Sequence, residues 1–135
     1  MSSIFSGCLD FNKSINWDTS NVTNMNCMFY GYTNFNQPLN WDTSKVTDMN
    51  SMFAYCKKLN QEIKLDTSNV ENMKYIFSNC TSLNRTFYWD FTKYANLNNL
   101  QPNQDEIIIL TFQNSPVKII NVEDLKNYEE NPVLK

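Results

Sequence analysis

WDTSNVTNMNCMFYGYTNFNQPLN, at residues 17–40, returns as WDTSKVTDMNSMFAYCKKLNQEIK at 41–64 and as LDTSNVENMKYIFSNCTSLNRTFY at 65–88. A worn copy, WDFTKYANLNNL, fills 89–100. Upstream, Ile4-Phe5 and Phe11-Asn12 match Met28-Phe29 and Phe35-Asn36, so 4–16 is a partial copy. Self-similarity at a fixed period of roughly 20–50 residues is the mark of repeat architectures, in which each unit buries its apolar side against its neighbours. The expected fold is an α/β repeat solenoid: a leucine-rich-repeat-like right-handed coil with one short strand and one short helix per 24-residue repeat, and a C-terminal cap.

The helix is expected in the first half of each copy. Val22, Met25, Met28, Phe29 and Tyr32 form one apolar stripe at helical spacing, as do Val46, Met49, Met52 and Phe53, and Val70, Met73, Ile76 and Phe77. Ser20, Ser44 and Ser68 stand where N-caps belong. The strand is expected in the second half, where Phe35, Gln37, Leu39 and Trp41 alternate, followed by Leu59, Gln61, Ile63 and Leu65 and by Leu83, Arg85, Phe87 and Trp89. After residue 100 the pattern breaks at Pro102. DEIIILTF (105–112), QNSP and VKII (117–120) read as strand, turn, strand, and 121–132 as a short helix. Residues 101–135 are therefore expected to cap residues 1–100, a fragment of a second domain being the alternative reading.

Equivalent positions fall into columns. Met25, Phe29, Met49, Phe53, Met73 and Phe77 have the spacing of core ladders. Cys56 and Cys80 share a position with Cys8 and Tyr32, as small buried hydrophobes would; a disulfide between adjacent copies is the other geometry open to them. Trp17, Trp41 and Trp89 either pack between copies or form an aromatic strip, and Leu65 in their column favours packing. Asp18, Asp42, Asp66 and Asp90 invite a calcium reading. The Thr-Ser that follows most of them suits an Asx turn, which compensates the carboxylates locally. With 22 asparagines and 2 glycines in the chain, some asparagines are expected to hold left-handed turns.

The composition argues against most chemistry. There is no histidine, which removes Ser-His-Asp and Cys-His mechanisms and most zinc sites. The four cysteines contain no close pair, and no glycine-rich phosphate loop appears. No enzyme activity, metal or cofactor is expected. A net charge of −3 without a basic run argues against nucleic acid. No stretch has the ~20 apolar residues of a membrane span, and the first ten residues lack the pattern of a signal peptide.

The run FNQPLNWDTSKVTDMNSMF resembles the bacterial surface-protein repeat, a BspA-like leucine-rich repeat of the mycoplasma-lipoprotein type. The recurring Asn-Gln, Trp-Asp-Thr-Ser, Val-Thr-x-Met and Met-Phe carry the likeness over residues 4–100; a Gly common before the family's Asn-Trp is missing here. The resemblance implies a cell-surface or extracellular adhesion protein that binds host or matrix protein.

The expected function is thus a non-catalytic protein-interaction module. Its candidate surface comprises Asn21, Lys45 and Asn69; Asn24, Asp48 and Asn72; Asn26, Asn50 and Lys74; and Tyr30 and Tyr55. The alternative is a structural module that self-associates through an uncapped end of the repeats.

Overall fold

In the computed structural model, residues 9–90, 92–99 and 113–121 are described. They form strands β1 (Leu39–Asn40), β2 (Ile63–Lys64) and β3 (Thr86–Trp89), helix α1 (Thr92–Leu97) and strand β4 (Lys118–Asn121). β1 pairs with β2 in parallel, Leu39 opposite Ile63. β3 pairs with β4 in parallel, Thr86 opposite Lys118. These are two separate two-stranded sheets.

This corrects the expected fold class. The leucine-rich-repeat-like right-handed coil, with a strand and a helix in every copy, is not what forms. None of the three full copies contains a helix, the first two strands are two residues long, and the only helix among the described residues is the six-residue α1. The strand expected at 105–112 and the helix at 121–132 fall outside the described residues, apart from Asn121, which ends β4.

Hydrogen bonding shows why no helix forms. In the first full copy the amides of Met28, Tyr30 and Tyr32 donate to the carbonyls of Met25, Cys27 and Phe29, three residues back. The alternate amides point elsewhere. Met25, Cys27, Phe29 and Gly31 donate to Asp48, Asn50, Met52 and Ala54 of the next copy, at 2.8 to 2.9 Å. The second copy repeats this: Met49, Ser51, Phe53 and Tyr55 donate to Asn72, Lys74, Ile76 and Ser78. An α-helix needs consecutive amides for its own i−4 carbonyls. Here every second amide is given to a neighbouring copy, so the segment becomes a chain of tight turns.

Those turns need left-handed backbone at two places in each copy, four residues apart. Cys27, Ser51 and Tyr75 hold the first, with φ of 53°, 54° and 58°; Gly31, Tyr55 and Asn79 hold the second, with φ of 76°, 65° and 59°. Of the asparagines expected there, only Asn79 holds such a place in the full copies, joined later by Asn99 and Asn114.

The apolar stripe is buried even though it is not helical. Met25, Met28, Phe29, Tyr32, Val46, Met49, Met52, Phe53, Ile76 and Phe77 are fully buried, and Met73 nearly so. Phe29, Phe53 and Phe77 stack in a file, with successive ring centroids 5.3 Å apart. Trp41 and Trp89 are buried against this file at Phe29 and Phe77, while Trp17, at 36% exposure, stacks on Trp41. One apolar cluster runs from Ile15 to Val117.

Polar side chains tie the copies together at their corners. Thr19, Thr43 and Thr67 are buried and donate to the carbonyls of Asp42, Asp66 and Asp90 at 2.8 to 3.0 Å. Asn12, Asn36 and Asn60 accept through their side-chain oxygens from the amides of Asn36, Asn60 and Asn84. A buried polar group without a partner costs about 1–3 kcal/mol. These side chains supply such a partner at the corners between successive copies.

Candidate functional site

Most of the expected surface residues are engaged in holding the copies together. Asn24, Asp48 and Asn72 accept from the amides of Asn26, Asn50 and Lys74, closing an Asx turn in each copy. The same three residues bridge copy to copy in parallel pairs. Asn26, Asn50 and Lys74 are half-buried. Asn21, Lys45 and Asn69 are exposed, yet the Lys45 ammonium donates to Asn21 Oδ1 at 2.9 Å and the Asn69 amide to Ser44 O at 2.7 Å.

The aspartate column is likewise structural. Asp18, Asp42 and Asp66 each accept from the amide and the hydroxyl of the serine two residues on, and Asp90 accepts from the Thr92 amide. The serines expected to cap helices therefore close Asx turns. The Ser20 hydroxyl, with its amide, holds the Asp18 carboxyl below its ordinary value, and Ser44 does the same for Asp42. Among the described residues, no group of three or more Asp, Glu, Cys or His side chains could hold a metal ion.

Cys56 and Cys80 are fully buried thiols, not joined in a disulfide, and donate to Phe29 O and Phe53 O at 3.2 and 3.0 Å. Burial pushes the Cys80 thiol up to about 12 and Cys56 well above its ordinary value. Such thiols are poor nucleophiles at neutral pH.

The aromatic residues behave differently. Tyr30 and Tyr55 are exposed at 39% and 42%, and Tyr75, which periodicity did not single out, joins them at 41%. The three occupy different positions of the 24-residue period, so no column announces them. They meet because the left-handed turns set them on one face, around a groove of about 300 Å³ completed by Ser51, Ala54, Ser78, Asn79 and Gln113. The Tyr30 and Tyr55 rings lie edge to face, centroids 5.5 Å apart at 61°. Among the described residues, no charged side chain lines the groove.

A second, more open groove of about 580 Å³ lies where the two sheets fail to join, between β2 and β3. Its charged lining, Glu62, Lys64, Asp66 and Arg85, mixes both signs. The Arg85 guanidinium is spent on Asn60 O through Nε and Nη2. Opposed charges and an occupied arginine give this groove no single ligand chemistry.

The chain belongs to the family described as "Mycoplasma protein of unknown function, DUF285", whose model matches residues 1–107. No curated protein matches the chain, and no solved structure does. No helix among the described residues is long and apolar enough to cross a membrane.

Proposed function

We propose that this chain is a non-catalytic interaction module that binds a partner protein through the face carrying Tyr30, Tyr55 and Tyr75. The observation that carries the reading is the convergence of three tyrosines, each about 40% exposed, on one groove whose described lining carries no charged side chain. Tyrosine combines a large apolar surface with a hydrogen-bonding tip at low entropic cost, and it is enriched where proteins bind one another. The resemblance of the repeats to BspA-like leucine-rich surface repeats is what favours a host or matrix protein as the partner and the cell surface as the place of action; the matched family's description gives no function.

Surface plasmon resonance of the whole chain over immobilised matrix proteins tests the reading. Binding should fall at least tenfold when all three tyrosines are changed to serine, a loss of about 1.4 kcal/mol or more. Binding equal to that of the triple variant would remove the proposal.

A second reading is self-association through the N-terminal side of the repeats. Leu9 and Trp17 expose 58% and 36% of their surfaces there. Sedimentation velocity across a concentration series separates the two, since only self-association predicts a concentration-dependent sedimentation coefficient.

A further inference from the structure

Two of the three groove tyrosines stand at left-handed positions, Tyr55 at φ 65° and Tyr75 at φ 58°. The turns impose that conformation; they do not impose tyrosine. The equivalent places are held by Gly31 and Asn79 in one case and by Cys27 and Ser51 in the other. Left-handed backbone is costly for a bulky residue, and strain of this kind gathers at ligand clamps. Core packing does not account for the choice, because both rings are about 40% exposed.

The groove holds a second anomaly. Ser78, in its lining, is 4% exposed, and its hydroxyl has no hydrogen-bond partner among the described residues. Its backbone is fully used, the amide donating to Tyr75 O and the carbonyl accepting from Tyr55. A buried hydroxyl in that state is an unfilled donor and acceptor, and native structures rarely leave one without a reason.

An occupant must therefore offer acceptors, carry no charge that needs a counter-charge, and lie flat against aromatic rings. A segment in the polyproline II conformation does all three. It makes no internal hydrogen bonds, so its carbonyls are free to accept, and its proline rings pack between aromatic side chains. The Tyr30 and Tyr55 rings touch edge to face, 5.5 Å apart at 61°, and so form one continuous aromatic wall against which such a ring can lie. Ser78, Asn79 and Gln113 supply hydroxyl and amide donors along the same groove. A volume of about 300 Å³ is at the small end of concave ligand sites, suited to a few residues of an extended strand and not to a folded domain.

We infer that the Tyr30–Tyr55–Tyr75 groove receives a proline-rich, polyproline II segment of the partner, with Ser78 donating to one of its carbonyls. This rests on the proposed function and names what that surface recognises.

The test is isothermal titration of the whole chain with a polyproline peptide about ten residues long, roughly 30 Å when extended, beside a Gly/Ser peptide of equal length. Saturable binding to the first only is expected. Tyr55→Asn and Tyr75→Asn, both compatible with left-handed backbone, should each weaken it about tenfold. Ser78→Ala should weaken it severalfold while leaving thermal stability unchanged or raised, because the hydroxyl has no partner to lose. That pairing separates a ligand contact from a structural role.

Equal binding of both peptides, or affinity unaffected by the three substitutions, would overturn the inference. So would competition at the groove by neutral oligosaccharides in place of the peptide. If polyproline fails while matrix-protein binding persists and still needs the tyrosines, this inference falls and the proposed function stands. If both fail, both fall.

Discussion

At the scale of single residues, the left-handed positions and the buried thiols have measurable consequences. Tyr75 has left-handed backbone and, among the described residues, no ring partner within stacking range. Tyr75→Asn is expected to raise stability by up to about 1 kcal/mol in urea unfolding, since Asn tolerates this backbone better. No change, or a loss, would show that the tyrosine makes a stabilising contact. The thiols set the pH behaviour. With the folded-state values of Cys56 and Cys80 raised above the ordinary thiol value of 9.0, the native state holds its protons longer than the unfolded state. Their contribution is therefore complete below about pH 9 and is lost as pH climbs toward the folded values. Burial of Tyr94, whose phenol is pushed up to about 12, acts in the same direction. Urea unfolding at stepped pH should show stability falling above pH 9, by up to about 1.4 kcal/mol per pH unit for each thiol. Replacing both cysteines with alanine should flatten that slope.

At the scale of elements, the threonines of the Asp-Thr-Ser motif join one copy to the next. Thr43 both donates to Asp66 O at 3.0 Å and accepts from the Asp66 amide at 2.8 Å. Thr43→Val keeps the shape and strands both groups, so it should cost about 2–3 kcal/mol in urea unfolding. Ser44→Ala, on a partly exposed turn, should cost distinctly less, since water replaces the lost hydrogen bond. A reversal of that order would place the joint elsewhere. The helix expectation failed at this scale for a physical reason. Turns closed by bonds three residues back place an apolar side chain inward at nearly the same intervals as a helix, so the burial pattern was legible and the conformation was not. One signal did point away from helix: Asn, Thr, Ser and Cys crowd residues 20–34, where strong helix formers are scarce. Helix appears instead in α1, within the worn copy, where the Asn98 amide returns to Tyr94 O four residues back.

At the scale of the whole molecule, the Phe29–Phe53–Phe77 file is the continuous element of the core. Phe53 sits in its middle, fully buried, with a ring on either side. Phe53→Ala should cost about 3–5 kcal/mol and lower the urea midpoint of a single transition. Phe11→Ala, at a partly buried edge, should cost distinctly less. If Phe53→Ala instead produced two separate transitions, the copies would be unfolding independently. Equal spacing in the sequence was enough to identify which residues share this core, because a strict 24-residue period puts the same side chain in the same surroundings each time. It could not reveal the groove. Tyr30, Tyr55 and Tyr75 have no common place in the period, and Ser78 looks like any other serine until its neighbours are known. What the chain determined by itself is the register: which residues are inside and which aspartates close turns. Only the tertiary structure decided where each backbone amide goes, since the choice between a carbonyl four residues back and one in the next copy depends on whether that copy lies within reach.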